Sequence, residues 1–265
     1  MIVNMSLVIK LFIFTLIIHF IDTLSYSVRL NSVKKGNFAL SLSLFNLIVL
    51  ISRTANTFQG PLIGSLIDSS VKASYNPIHE IRWVVFASTV GTSLAVLFIP
   101  TFLKMFSSAV SKLEETGSVP GLVTQSLSIA NIKRIARKTT KPSKNMLKDL
   151  RFRNIPKRLL LINIVVTGVY TIGVLAANYA AIIVPDHMAS VIASSGMINS
   201  IATILLTLFI DPRAAQITDE VYRGKREYGD IKALVIMLIG TKLLGTILGQ
   251  VLLVPSARII AYFYR

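Results

Sequence analysis

Cysteine is absent from this sequence of 265 residues, which excludes disulfide bonds and thiolate metal sites. Histidine is scarce, and the three copies, His19, His79 and His187, lack the spacing of metal ligands. No HExxH, GxSxG or P-loop lysine motif is present, so no enzyme class is indicated and no cofactor is expected. Charged residues make up only 15% of the chain against 53% hydrophobic residues, and the mean hydropathy is +0.66. This balance indicates an integral membrane protein, because the apolar surface of the chain exceeds what a soluble core of this size buries.

Six apolar runs have the length needed to cross a hydrocarbon core about 30 Å thick. They lie near residues 3–24, 38–58, 81–103, 159–184, 188–210 and 231–254. The first run differs from a signal peptide, since Lys10, His19 and Asp22 interrupt it and no small-residue cleavage pattern follows. We therefore predict an all-α integral membrane protein with six transmembrane helices in a single polytopic domain.

Acidic residues are few, 12 against 28 Lys and Arg, and the resulting net charge of +16 is unevenly placed. The first, third and fifth connections carry 21 of the 28 basic residues, thirteen of them between Lys104 and Arg158. The positive-inside rule places these connections in the cytoplasm and both termini outside. The charge thus reports topology and contact with anionic membrane lipids, and nucleic acid is not an expected partner.

The long basic connection divides the chain. We predict a first three-helix half at 1–104, a basic interfacial insert at 105–158 and a second three-helix half at 159–265. Apolar residues at helical spacing, among them Leu122 and Ile129, predict amphipathic cytoplasmic helices on the inner leaflet, starting after Ser118. For the later part of the insert, around 141–153, a solvated basic linker is an equal alternative.

The two halves resemble each other in sequence. EIRWVVFASTVGTSL begins at Glu80, and DIKALVIMLIGTKL begins at Asp230. PLIGSLID at 61–68 and PRAAQITD at 212–219 both place an aspartate seven positions after a proline. These matches share an offset of 149 to 151 residues, which suggests a duplication of three spans. Because three is odd, the second copy would be inverted, an arrangement common in alternating-access transporters.

Polar and charged residues line one face of two spans and interrupt a third. The first span carries His19, Asp22, Tyr26 and Arg29, the second Asn46, Arg53, Asn56 and Gly60, and the sixth Lys242 beside Gly245 and Gly249. A charge at the centre of a spanning helix costs about 2.5–3.5 kcal/mol even on lenient insertion scales, so each needs a partner or a polar interior. We predict a polar path from Arg29, near the cytoplasmic end, to Arg53 and Lys242 near the midplane.

The cations Arg29, Arg53 and Lys242 outnumber the one acid counted in the spans, Asp22, and this excess favours an anionic ligand. A guanidinium fork suits phosphate oxygens especially well. Two alternatives stay open. Asp22 can serve only to neutralise Arg53 or Lys242, and His19 can be a hydrogen-bonded packing residue instead of a proton relay. The Gly245 to Gly249 spacing is more typical of helix packing than of a dimer interface.

Three stretches carry a family resemblance: HFIDTLSYSVRL at 19–30, ALSLSLFNLIVLISRTAN at 39–56 and GPLIGSLID at 60–68. They resemble the N-terminal part of the Amj ("alternate to MurJ") family of bacterial lipid II flippases. The length, the six spans and the basic central loop also fit this family. The resemblance implies transport of the undecaprenyl-pyrophosphate-linked peptidoglycan precursor from the inner to the outer leaflet of the bacterial cell membrane.

Residue roles follow from combining this resemblance with the charge pattern. Arg29, Arg53, Lys242 and Asn56 are expected to bind the pyrophosphate headgroup, His19 and Asp22 to form a proton or charge relay, and Gly60 with Pro61 to act as a hinge. The expected partners are lipid II and anionic lipids, and a homodimer and a functional link to cell-wall synthases are compatible with this picture. The alternatives are a membrane enzyme acting on polyprenyl phosphates and a structural partner of the cell-wall machinery.

Overall fold

The computed structural model describes residues 5–35, 38–118, 140 and 148–265, and every regular element within them is a helix. The α-helices are α1 (Met5–Lys35), α2 (Phe38–Lys72), α3 (Ile78–Thr116), α4 (Lys157–Ile183), α5 (Met188–Leu205), α6 (Asp211–Tyr222) and α7 (Tyr228–Phe263). Short 3-10 helices cover Phe152–Asn154 and Pro185–His187, and a π-helical segment, Leu206–Ile210, joins α5 to α6. The prediction of an all-α protein is confirmed.

Six spans are long and apolar enough to cross a membrane, as predicted, and the protein is a multi-pass membrane protein. The fifth span is composite, because α5, the π segment and α6 follow one another without a break. The helices extend beyond the apolar runs. The helix α3, for example, ends only at Gly117 (φ 65°), whose N–H donates to the carbonyl oxygen of Leu113 at 2.9 Å. Hydropathy marks contact with hydrocarbon, whereas a helix continues until its hydrogen-bond ladder is stopped.

The two three-helix halves share one packing pattern. In the first half α1 packs against both α2 and α3, and in the second α4 packs against both α5 and α7. The two remaining helices of each half have few contacts with each other. Contacts of α7 with α1 and α3 join the halves. The inverted repeat itself stays a prediction.

Glycines set the close approach of α4 and α7. A Cβ atom added at Gly245 would lie 2.7 Å from both the carbonyl oxygen of Ile164 and Cβ of Thr167. One added at Gly249 would lie 3.1 Å from Cγ2 of Ile172. Only hydrogen fits at these positions without a shift of the neighbouring helix. The interpretation of this glycine pair as a helix-packing motif is confirmed.

Gly60 and Pro61, the predicted hinge, do not interrupt the second span. The α-helix α2 continues through both residues to Lys72, and Pro61 lies on its exposed side. A proline removes one backbone donor from the ladder, and the bonds on either side suffice to continue this helix. Irregular geometry occurs in the fifth span, where the π segment precedes Pro212. The hinge role of Gly60 and Pro61 stays a prediction.

The amphipathic helices predicted for the basic insert lie outside the described residues. Its described C-terminal part is attached to the start of α7. Lys232 Nζ donates to the carbonyl oxygen of Lys148 at 2.6 Å, and Asn154 Nδ2 donates to Oδ1 of Asp230 at 2.8 Å. This part of the insert is therefore held against the helical bundle.

Candidate functional site

Asp22 of α1 and Lys242 of α7 form an ion pair between the two halves of the chain. The Lys242 side chain is only 2% exposed and that of Asp22 is 25% exposed. Of the two partners considered for Asp22 from the sequence, the structure shows Lys242. An isolated charge at this depth is strongly unfavourable, so each ion stabilises the other.

An aromatic and an amide side chain lie beside this pair. Nζ of Lys242 lies 5.4 Å from the centroid of the Tyr26 ring, and Cζ of Arg29 lies 5.7 Å from the same centroid. The Tyr26 hydroxyl donates to Oδ1 of Asn163 at 3.5 Å, and Nδ2 of Asn163 donates to Oγ1 of Thr241 at 2.8 Å. Asn163 is fully buried, so this chain of contacts fixes α1 against α4 and α7.

A second ion pair joins α1 to the start of α6. Nη2 of Arg29 donates to Oδ1 of Asp211 at 3.2 Å, and Cζ of Arg29 lies 4.8 Å from the centroid of the Phe45 ring. The side chain of Arg29 is 9% exposed and that of Asp211 is 34% exposed. Nη1 of Arg29 is buried and has no hydrogen-bond partner among the described residues. One side of this guanidinium is therefore satisfied and the other is not.

A cavity of about 320 Å³ opens beside this pair, between α1, α2 and α6; we call it the α1–α2–α6 cavity. Its polar lining consists of Arg29, Ser32, Ser41, Asn46, Thr207, Asp211 and Thr218. Apolar side chains, including Phe45, complete the wall. This volume lies at the lower end of the range typical of small-molecule sites, and the lining combines an apolar wall with a few polar groups.

Arg53 of α2 is half-buried, and its guanidinium forms no salt bridge or hydrogen bond with the residues that the structure describes. Its charge nevertheless acts on both Asp22 and Asp211. One turn further along α2, the buried side chain of Asn56 lies beside the Tyr170 hydroxyl of α4. Arg53 therefore contributes a charge to both ion pairs while remaining free to bind another group.

Five charged residues, Asp22, Arg29, Arg53, Asp211 and Lys242, form what we call the charged cluster. It contains three cations and two carboxylates, so it carries an excess of one positive charge. Burial strengthens electrostatic interaction, and this excess favours an anion that enters between the halves. A guanidinium can also present two parallel N–H groups to two oxygens of the same phosphate.

His19 lies one helical turn before Asp22 and is 5% exposed. Its Nδ1 atom is buried and has no hydrogen-bond partner in the described part of the chain. The charges of Lys242 and Asp22 both act on the imidazole. A role as a proton or charge relay stays a prediction. No cluster of three or more His, Cys, Asp or Glu residues suitable for a metal ion occurs within the described ranges.

The family profile named Amj, described as "Alternate to MurJ", matches residues 14–264. The chain belongs to the Amj family. The lipid II flippase Amj of Bacillus subtilis (strain 168) is 38% identical over 260 residues, which cover 97% of this chain and 97% of that protein. No solved structure matches the chain. The family expected from the first 70 residues is therefore confirmed, and the match extends over both halves.

In this Amj protein the structure brings several of the predicted site residues together. Arg29 and Lys242 both lie near the ring of Tyr26, with Cζ of Arg29 at 5.7 Å and Nζ of Lys242 at 5.4 Å from its centroid. The charge of Arg53 acts on the two acids that pair with them. Gly60 lies further along α2, and an added Cβ atom there would meet no atom within 4 Å. The binding and relay roles of all these residues stay predictions.

Two residues of this Amj site were missed from the sequence, Asp211 and Asn163. The predicted balance of three cations against one acid is wrong, because Asp211 neutralises Arg29. Asp211 directly follows the fifth apolar run and precedes Pro212. An Asp-Pro pair is typical of the first turn of a helix, so this signal could have placed Asp211 at the start of a further helix. Asn163 lies alone within an apolar run, and a buried amide there could have been recognised as a residue that bonds neighbouring helices.

Proposed function

We propose that this Amj protein is a lipid II flippase, moving the undecaprenyl-pyrophosphate-linked peptidoglycan precursor from the inner to the outer leaflet of the bacterial cell membrane. The observation that carries the proposal is the 38% identity, over 97% of both chains, to a protein named lipid II flippase. The charged cluster supports it independently, because an excess of cationic charge between two helical halves suits a diphosphate group.

The proposed orientation places both termini outside the cell and the α1–α2–α6 cavity toward the cytoplasm. The cavity lies where α1 ends and α2 begins, and the last two residues of α1, Lys34 and Lys35, are basic. By the positive-inside rule this end of the bundle is cytoplasmic. Anionic lipids are the proposed contacts of the basic insert, and a homodimer and a link to cell-wall synthases stay predictions.

The headgroup would meet two cations first. Nη1 of Arg29 and the guanidinium of Arg53 are the groups of the charged cluster that can accept a diphosphate without first losing a described partner. Lys242 would take part after its pair with Asp22 opens, and Asn56 would add an amide donor. The prenyl tail would stay in the lipid, along the exposed flank of α2.

Transport requires the site to face the two leaflets in turn. Both ion pairs of the charged cluster link the first half to the second, so relative motion of the halves must break or exchange them. A diphosphate supplies the negative charge that the separated cations would otherwise lack. We propose this exchange as the coupling between cargo and motion, with Gly60 and Pro61 as a candidate hinge in α2.

The test is survival of bacterial cells that lack their resident lipid II flippase, with lipid II measured at the outer leaflet. The wild-type protein should support growth. Arg53→Gln, which keeps a polar N–H donor but removes the charge, should reduce flipping at least about tenfold, because loss of a single charge-assisted hydrogen bond costs about 1.5–3 kcal/mol. Arg53→Lys should retain part of the activity, since it keeps the charge and loses the fork.

Arg258→Gln is the matched control, because Arg258 is also an arginine of a spanning helix but lies exposed near the end of α7. It should support growth like the wild type at equal membrane abundance. If Arg53→Gln also supports growth fully, the charge of Arg53 is not needed for transport. If the wild type fails to bring lipid II to the outer leaflet, the proposed function is wrong.

A further inference from the structure

Two buried polar atoms of the α1–α2–α6 cavity lack a partner. Nη1 of Arg29 and Oγ of Ser41 form no hydrogen bond with the described residues, although both side chains are at least nine-tenths buried and both residues line the cavity. Buried polar groups are almost always paired, because an unsatisfied one costs about 1–3 kcal/mol and a charged one more. Both atoms can donate a hydrogen bond, so the chemistry that would satisfy them together is an anionic oxygen acceptor.

The second nitrogen of the same guanidinium is already bound to a carboxylate. Nη2 of Arg29 donates to Oδ1 of Asp211 at 3.2 Å, and Asp211, 34% exposed, lines the same cavity. A carboxylate and a phosphate oxygen use the same guanidinium geometry, so they compete for it. A ligand with two linked phosphates could use both nitrogens only after Asp211 has moved away.

Asp211 is placed where it can move. It is the first residue of α6 and follows the π segment Leu206–Ile210, in which the backbone hydrogen bonds span five residues instead of four; the N–H of Asp211 itself donates to the carbonyl oxygen of Leu206. Pro212, the next residue, has no N–H to contribute to that ladder. Ala214 and Ile217 of α6 pack in an apolar cluster that contains residues of both α7 and α1. Release of Asp211 would therefore remove the salt bridge between α6 and α1 and leave α6 held by apolar contacts.

We propose that Arg29 exchanges partners during transport: a diphosphate group binds to Nη1 of Arg29 and Oγ of Ser41, displaces Asp211 and frees α6 to tilt about the π segment. This inference rests on the proposed function, because a prenyl-linked diphosphate is the group that lipid II presents. Asp211 acts as an internal stand-in for the ligand, since its carboxylate binds Nη2 of Arg29, the nitrogen that a second phosphate would use.

Competition by Asp211 predicts the direction in which the affinity for a diphosphate changes when the carboxylate is removed. If the carboxylate competes, Asp211→Asn should bind farnesyl diphosphate about tenfold more tightly than the wild type, a change equal to about 1.4 kcal/mol. A carboxylate that only orders the bundle would give unchanged or weaker binding in the same variant. Ser41→Ala should weaken binding severalfold, whereas Ser43→Ala, a matched change at an exposed position of α2, should leave it unchanged.

The movement of α6 can be measured directly because the chain has no cysteine. Spin labels attached to cysteines introduced at Ser108 of α3 and Gln216 of α6, both exposed, would report the distance between the two halves in full-length protein in nanodiscs. Farnesyl diphosphate should shift the distance distribution of the wild type. Asp211→Asn should show the shifted distribution without any ligand. Arg29→Gln should show no response to the ligand.

Two further ligands separate the possible sources of phosphate. Inorganic pyrophosphate tests whether the diphosphate alone is sufficient, and nanodiscs rich in phosphatidylglycerol test whether an ordinary phospholipid headgroup replaces it. A shift with farnesyl diphosphate or pyrophosphate supports the inference, and a shift with phosphatidylglycerol alone overturns it. An unchanged distance in Asp211→Asn together with unchanged affinity also overturns it. If these negative results accompany normal growth support by the wild type, the proposed function stands without this exchange.

Discussion

Removing one partner of the Asp22 and Lys242 pair should cost more stability than removing both. Asp22→Asn leaves the ammonium of Lys242, 2% exposed, with the Tyr26 ring 5.4 Å away. Breaking a buried pair in this way costs about 3–5 kcal/mol. Lys242→Met leaves Asp22, which is 25% exposed and feels the charge of Arg53, so roughly 1–3 kcal/mol is expected. The double variant, with two neutral side chains of similar volume, should lie within about 1 kcal/mol of the wild type.

The measurement is unfolding of the purified protein in mixed micelles by titration with sodium dodecyl sulfate, followed by the fluorescence of Trp83, the single tryptophan. Lys10→Met serves as the control, because Lys10 is exposed on α1, and its stability should match the wild type. The order of stability should be wild type, double variant, Lys242→Met and then Asp22→Asn. Equal costs for the two single variants that add up in the double variant would refute the assignment of a buried, mutually dependent pair.

Two other predictions concern packing and topology. Gly245→Ala should destabilise the protein by about 1–3 kcal/mol, because the new methyl group meets Ile164 and Thr167, and its melting temperature should fall below that of Gly240→Ala, where no atom lies within 4 Å. A cysteine at Asp186 should react with an impermeant maleimide on intact cells, and one at Lys225 only after permeabilisation. Equal melting of the glycine variants, or reversed labelling, would contradict these predictions.

The spans could be predicted from the sequence because a bilayer demands about 20 apolar residues in a row. The ends of the helices could not be predicted in this way, and the helix α6 shows the reason. Its sequence, DPRAAQITDEVY, is too polar to read as part of a span. It is nevertheless helical because Ala214 and Ile217 pack against the bundle on one side while Arg213 and Gln216 are exposed on the other. Such packing depends on neighbours that the local sequence does not contain.

The charged residues of the site could be selected from the sequence, but only some of their pairings could be predicted. A charge inside a membrane span requires a partner, so Asp22, Arg53 and Lys242 could be selected from the sequence as one group. Which acid pairs with which cation depends on how the helices pack, and Arg53 is the cation whose guanidinium has no bonded partner among the described residues. Asp211 was missed because it lies just beyond an apolar run in the sequence, although in the folded protein it forms a salt bridge with Arg29.

The long sequence separation of the two ion pairs affects how the protein is made. Asp22 precedes Lys242 by 220 residues, and Arg29 precedes Asp211 by 182. At about 5–20 residues per second, the ribosome needs roughly 10–45 s to bridge the larger gap. During this interval the carboxylate of Asp22 lacks its partner, so α1 is more stable at the insertion machinery or near the membrane interface than in the hydrocarbon core. A chain that stops before α7 lacks Lys242 and leaves the carboxylate of Asp22 without its partner, so the stability of α1 in the membrane depends on synthesis of the last helix.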